Sequence, residues 1–100
     1  MAITVSIVED NDQLRGTLAR VINRAEGFQC LSQYANAEAA LEALPKERPN
    51  VVLMDINLPG MNGVDALRKI REAKGAYHDI PVIMISGHAS LAEAVDAVKV

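Results

Sequence analysis

The sequence predicts one alternating α/β domain built on a parallel β-sheet. The hydrophobic pattern switches between a strand-like and a helix-like period four times in 100 residues, reading β-α-β-α-β-α-β-α. Two of the strand-like runs, Val51–Met54 and Pro81–Ile85, are continuously apolar, as parallel strands covered on both faces are. Half of the residues are hydrophobic and 23% are charged, a balance that buries a core and leaves room for a single domain.

Taken in order, Ile3–Val8 is a short β-branched run and reads as a strand. Asn11 or Asp12 caps the helix that follows, with Leu14, Leu18, Val21, Ile22 and Ala25 on its inner face and Gly27 in the left-handed position past its end. Phe28–Tyr34 has the mixed polarity of an edge strand. Asn36 caps a short helix, Ala37–Leu44, which Pro45 is expected to close. After the strand Val51–Met54 comes a loop rich in turn residues, Leu58-Pro59-Gly60-Met61-Asn62-Gly63. A helix over Val64–Ala73 presents Val64, Leu67 and Ile70 inward. Gly75 to Asp79 form a loop before the strand Pro81–Ile85, and the capping box of Ser90 and Glu93 opens a last helix with Leu91, Ala94, Val95 and Val98 inward.

Composition excludes several classes of function. Ten basic against thirteen acidic residues give a net charge of −3, too little positive charge for direct nucleic-acid binding by this chain. Its aromatics are Phe28, Tyr34 and Tyr77, too few for a stacking platform. The single cysteine, Cys30, allows no intramolecular disulfide and fits a reducing, cytoplasmic setting. The apolar runs are too short to span a membrane, and Met1–Thr4 does not begin a signal peptide. Neither a P-loop nor a dinucleotide-binding glycine fingerprint is present. His78 and His88 lack the spaced partners of a metal site and read as loop residues.

In an open parallel sheet, ligands bind beyond the carboxyl ends of the strands. The first strand is followed by Glu9 and Asp10, the third by Asp55, and the fourth by Ser86, Gly87 and His88. Each has a plain alternative: Glu9 and Asp10 suit the positive end of the next helix, Asp55 suits an Asx turn, and Ser86 suits a strand-end hydroxyl. If the first, third and fourth strands are neighbours, however, three carboxylates and a hydroxyl converge on one crevice. Like charges at that range raise one another's pKa unless a cation shares the site. Mg²⁺, held by one or two carboxylates with its other positions left to water and phosphate oxygens, is the natural cation.

Three stretches together carry a resemblance: Ile7-Val8-Glu9-Asp10-Asn11-Asp12, Val52-Leu53-Met54-Asp55-Ile56-Asn57-Leu58-Pro59-Gly60-Met61-Asn62-Gly63, and Val82-Ile83-Met84-Ile85-Ser86-Gly87-His88. With them the chain resembles, from Ile3 to Val100, the receiver domains of two-component response regulators. The resemblance implies a flavodoxin-like three-layer sandwich with strand order 2-1-3-4. It implies that Asp55 is the phosphoacceptor for a phosphohistidine of a sensor histidine kinase or phosphotransfer protein. Asp10, Asp55 and the backbone carbonyl of Asn57 would ligate Mg²⁺, with Glu9 in the outer shell. Ser86 would hydrogen-bond a phosphoryl oxygen and pass the change to the fourth helix, with Gly87 leaving the phosphate room.

The same resemblance implies a domain that catalyses only its own phosphotransfer and dephosphorylation, often joined to a DNA-binding or other output domain. Members of the family continue into a fifth strand, which carries a lysine, and a fifth helix. Lys99 falls in the fourth helix by pattern and is not given that role. Residues 1–100 are therefore expected to be a receiver cut short before the fifth strand, or one whose sheet is completed by pairing with another molecule across the fourth strand, a homodimer being one such form. The competing readings are an unphosphorylated scaffold or dimerisation module and, from another class, a Mg²⁺-dependent phosphatase with an Asp nucleophile.

Overall fold

The computed structural model describes residues 2–73, 75 and 77–85. Within them the order is β1 (Ile3–Val8), α1 (Asp12–Arg24), β2 (Phe28–Tyr34), α2 (Ala37–Glu47), β3 (Val51–Asp55), α3 (Gly63–Glu72) and β4 (Val82–Ile85). The strands form one sheet in the order β2-β1-β3-β4, and every pairing is parallel. The expected sheet, its order and the edge position of β2 are therefore all present. The helix expected after Ser90 lies outside the described residues.

Side-chain alternation divides the sheet's two faces. Val8 of β1 with Val52 and Met54 of β3 meet Ala37, Ala40 and Leu44 of α2 and Ala66 and Ile70 of α3 in one core. Val5 and Ile7 of β1, together with Val51 and Leu53, face the opposite way and pack with Leu18, Ala19 and Ile22 of α1. The result is a three-layer sandwich. Ile7, Leu44, Met54 and Ile70 are fully enclosed, and each contributes about 1.5–3 kcal/mol by leaving water. Between β1 and β2 the register slips after Val5, so that Ser6 pairs with Ser32 and their hydroxyls share a 2.7 Å hydrogen bond in the interior.

Several boundaries differ from the sequence expectation, each for a local reason. Helix α2 does not stop at Leu44 but runs through Pro45 to Glu47 and ends at Arg48 in the left-handed region. The fixed φ of proline suits a helix, and in the last turn its missing N–H leaves only one carbonyl without its intrahelical bond. In α1, Asn11 is the cap, its Oδ1 accepting the Leu14 N–H at 2.9 Å. That helix ends at Arg24, and Val21 and Ala25 point to solvent while Ala19 is buried. The inner stripe follows Arg15, Ala19 and Ile22, because residues four and three apart share a helix face. Gly27 has the expected positive φ, 86°, but lies two residues beyond the Ala25 cap.

In α3 the helix starts one residue early, at Gly63 with Asn62 as its cap, and ends at Glu72. Gly63, Ala66 and Ile70 form its buried stripe, whereas Val64 is exposed. Small residues let this end of the helix approach the sheet closely. Strand β3 includes Asp55, and β4 begins at Val82 rather than Pro81, since proline has no N–H to give a ladder.

Candidate functional site

Strands β1 and β3 are neighbours, and the chain leaves β1 toward β2 on one side before crossing to β3 on the other. The crevice at their carboxyl ends is the switch point where such sheets bind ligands. Val8 pairs with Met54, so Glu9 and Asp55 stand side by side as the next residues of the two strands. Strand alternation puts Asp55 on the face of Val51 and Leu53.

The carboxylates of Glu9, Asp10 and Asp55 each offer an oxygen within 4.8 Å of the others. Glu9 is 1% and Asp55 2% exposed, whereas Asp10 is open to solvent at the mouth. Asp55 Oδ1 accepts the Asn57 N–H at 3.0 Å, which folds the start of the β3–α3 loop back over the acid. Glu9 Oε2 accepts the Asn11 N–H at 3.1 Å. Glu9 Oε1 is buried and receives no donor when the three acids are ionised. Its contacts to Asp10 and Asp55 become hydrogen bonds only if a proton lies between the oxygens.

Electrostatics follow from this geometry. Burial pushes the Glu9 pKa from 4.5 up to about 7, against the Asn11 N–H, which lowers it. Hydrogen bonding to Asp10 and Asp55 and the negative charge of Asp55 contribute to the same rise. The folded protein therefore holds this proton more tightly than the unfolded chain. The resulting stabilisation is complete below pH 4.5 and is lost as pH rises through about 7. In chelator-treated protein, Glu9→Gln is expected to abolish that slope and to be more stable than wild type above pH 7, by up to about 3 kcal/mol. Denaturant unfolding of both proteins from pH 4 to pH 8 measures the difference. A divalent cation answers the same repulsion: an orphaned buried carboxylate oxygen and an acidic trio with one member open to solvent fit a hard, oxygen-seeking ion.

Arg15 and Gly63 shape the site in ways the sequence reading did not assign to them. Arg15 reaches back from α1 to donate through Nη1 to the Glu9 carbonyl at 2.8 Å and through Nη2 to Asp12, bracketing the loop that carries Asp10. Its place three residues after Asp12 is the one hint. Gly63 donates its N–H to the Ile56 carbonyl at 2.9 Å, and a Cβ built there would lie 2.2 Å from the Asp55 carbonyl oxygen. Gly60 holds φ at 72° in the same loop.

Of the residues proposed for the site, the structure brings together Glu9, Asp10 and Asp55 and sets Asn57 against Asp55. Ser86 and Gly87 lie outside the described residues, as does His88. His78 is exposed, its Nδ1 2.7 Å from the Gly75 carbonyl, away from the acids. Cys30 is half-buried on β2 and burial pushes its thiol up, so it packs as a small hydrophobe. Among the described residues, no helix is long and apolar enough to cross a membrane.

Comparison with known proteins agrees with this architecture. The chain is 39% identical over 93 residues to the DNA-binding transcriptional regulator NtrC of Proteus hauseri, covering 93% of this chain and 19% of that protein. It is 35% identical over 88 residues to protein-glutamate methylesterase/protein-glutamine glutaminase 2 of Burkholderia thailandensis, covering 88% of this chain and 24% of that one. It thus spans about a fifth to a quarter of the length of these two relatives. Among solved structures, a LuxR-family two-component response regulator from Aurantimonas sp. SI85-9A1 superposes with a TM-score of 0.78 at 28% identity, over 99% of this chain and 69% of that one. The response regulator domain of Thermotoga maritima CheB does so at 0.77 and 25%, over 99% and 72%. The profile of the response regulator receiver domain matches residues 5–100, and the chain belongs to that family.

Proposed function

We propose that this chain is the phosphorylation-dependent switch of a two-component system, with Asp55 as the residue that accepts the phosphoryl group. The observation that carries this reading is the acidic trio at the switch point, with Asp55 buried at its floor and Asp10 at its mouth. Asp10, Asp55 and the Asn57 carbonyl would hold Mg²⁺, with Glu9 acting from the outer shell. When bound, the ion supplies the positive charge that keeps the acids ionised and offsets charge on the phosphoryl oxygens.

The chain's own residues do the rest. A carboxylate oxygen of Asp55 attacks phosphorus in line, and an O–P bond forms as the N–P bond of a phosphohistidine breaks. The electron pair leaves with the imidazole nitrogen of the sensor kinase or phosphotransfer protein. The Asn57 N–H holds the acceptor carboxylate in place, and Arg15 keeps the Asp10 loop fixed. Phosphorylation replaces the single negative charge of the Asp55 carboxylate with a phosphoryl group that carries roughly −1.5 to −2 charges, and Ser86, drawn toward it with Gly87 leaving space, would carry the change into the following segment. The signalling step takes place in the cytoplasm.

The test is intact-mass measurement after incubation with acetyl phosphate. The expected result is a single phosphoryl adduct that requires Mg²⁺ and is absent in chelator. Sustained turnover of small phosphomonoesters would instead favour the phosphatase reading, and a chain that takes up no phosphoryl group would be left as a scaffold.

A further inference from the structure

The loop that follows Asp55 is held at its base by the fold. The Ile56 N–H donates to the Ile85 carbonyl at 2.7 Å, the Gly63 N–H donates to the Ile56 carbonyl, and Leu58 is buried in the core. Its apex is Gly60-Met61, where the half-buried Met61 side chain packs against the same core as Leu58. There Glu38, in the first turn of α2, accepts the Met61 N–H through Oε1 at 3.0 Å, across 23 residues of sequence. The same oxygen lies 3.2 Å from where a Cβ at Gly60 would stand, so the apex is shaped around the carboxylate, and φ of 72° at Gly60 turns the backbone toward it.

A glutamate in the first turn of a helix is ordinarily explained by the positive end of the helix dipole. That explanation accounts for the residue type but not for an acceptor aimed at a backbone N–H of another element. The dipole instead steadies the carboxylate where the Met61 N–H meets it, in a charge-assisted hydrogen bond.

We infer that Glu38 is a positioning residue: it pins the apex of the β3–α3 loop and thereby pre-sets the Asn57 carbonyl for the divalent cation. The inference rests on the proposed reading of the acidic trio as a cation site. A loop that must be ordered on binding lowers apparent affinity by the fraction of time it is out of place. The anchor therefore acts on cation affinity without touching the ion. Glu38→Gln retains an acceptor oxygen and should keep the loop in place, whereas Glu38→Ala releases it.

The experiment is a titration with MgCl2 alone, followed by backbone amide chemical shifts, on wild type, Glu38→Gln, Glu38→Ala and Ile70→Val. The last is a core-destabilised control that leaves the Glu38–Met61 hydrogen bond intact. Glu38→Ala is expected to weaken Mg²⁺ binding roughly three- to tenfold, the range that the net contribution of one solvent-accessible hydrogen bond commands. It should also speed hydrogen exchange at the Met61 amide. Glu38→Gln and Ile70→Val should stay within about twofold of wild type by the same measure. Wild-type affinity in Glu38→Ala, unchanged Met61 exchange, equal weakening in the Gln variant, or equal weakening in Ile70→Val would each overturn the inference while leaving the cation site standing. Wild-type protein that showed no Mg²⁺-dependent shifts around Asp55 would overturn the cation site itself, and the role of Glu38 with it.

Discussion

Asp55→Asn is expected to eliminate the phosphoryl adduct formed with acetyl phosphate, without loss of the fold. The amide is nearly isosteric with the carboxylate, and its oxygen can still accept the Asn57 N–H, so the loop start is retained. What disappears is the anionic nucleophile, since a neutral amide oxygen does not displace the leaving group. The same substitution removes a negative charge that raises the Glu9 pKa, so the Glu9 midpoint should fall below about 7 in metal-free protein. It should remain above 4.5, because burial, the largest cause, is unchanged. Intact mass gives the first result and a carboxyl-resolved titration by NMR gives the second. A persistent adduct would move the acceptor to another residue. An unmoved Glu9 midpoint would mean that the two acids are less coupled than their packing implies.

Gly63→Ala is expected to destabilise the protein by about 3 kcal/mol or more, an unusually large cost for adding one methyl group. The added carbon would lie 2.2 Å from the Asp55 carbonyl oxygen, 2.9 Å from Ile56 Cα and 2.9 Å from Met84 Cε. The methionine end can swing aside, but the two backbone atoms cannot without shifting β3 or the start of α3. Either movement breaks the Gly63 N–H to Ile56 carbonyl bond and displaces Asn57 relative to Asp55. Denaturant unfolding should show the loss, and whatever folded protein remains should label slowly with acetyl phosphate. Stability within 1 kcal/mol of wild type would mean that the helix end can lift from the strand more easily than this packing allows. By contrast Gly16, within α1, has only the end of the Arg20 side chain near it, so Gly16→Ala meets no backbone.

Much of this arrangement was legible in the residues. The continuous apolar run Val51–Met54 announces a strand buried on both faces, and Asn36 announces a cap, because those signals are local. Glu9, Asp10 and Asp55 stand out because they lie at the carboxyl ends of the first and third strands, where a parallel sheet presents its ligands. Pro45 misleads because its usual effect is on the residue before it, while a helix already formed can carry it through the last turn. Val21 and Val64 mislead because an apolar residue beside the stripe looks the same in sequence as one within it.

The alternating fold and the strand ends where the acids stand can thus be read from the residues alone, because strand and helix periods and side-chain type are properties of neighbouring residues. How the acids meet and what supports them is visible only in three dimensions. The folded chain closes Glu9, Asp10 and Asp55 to within 4.8 Å, leaves a Glu9 oxygen without a donor, seats Gly63 against the Asp55 backbone and brings Glu38 to Met61. Those facts depend on distances between residues far apart in the chain, and such distances exist only once β1 and β3 lie side by side.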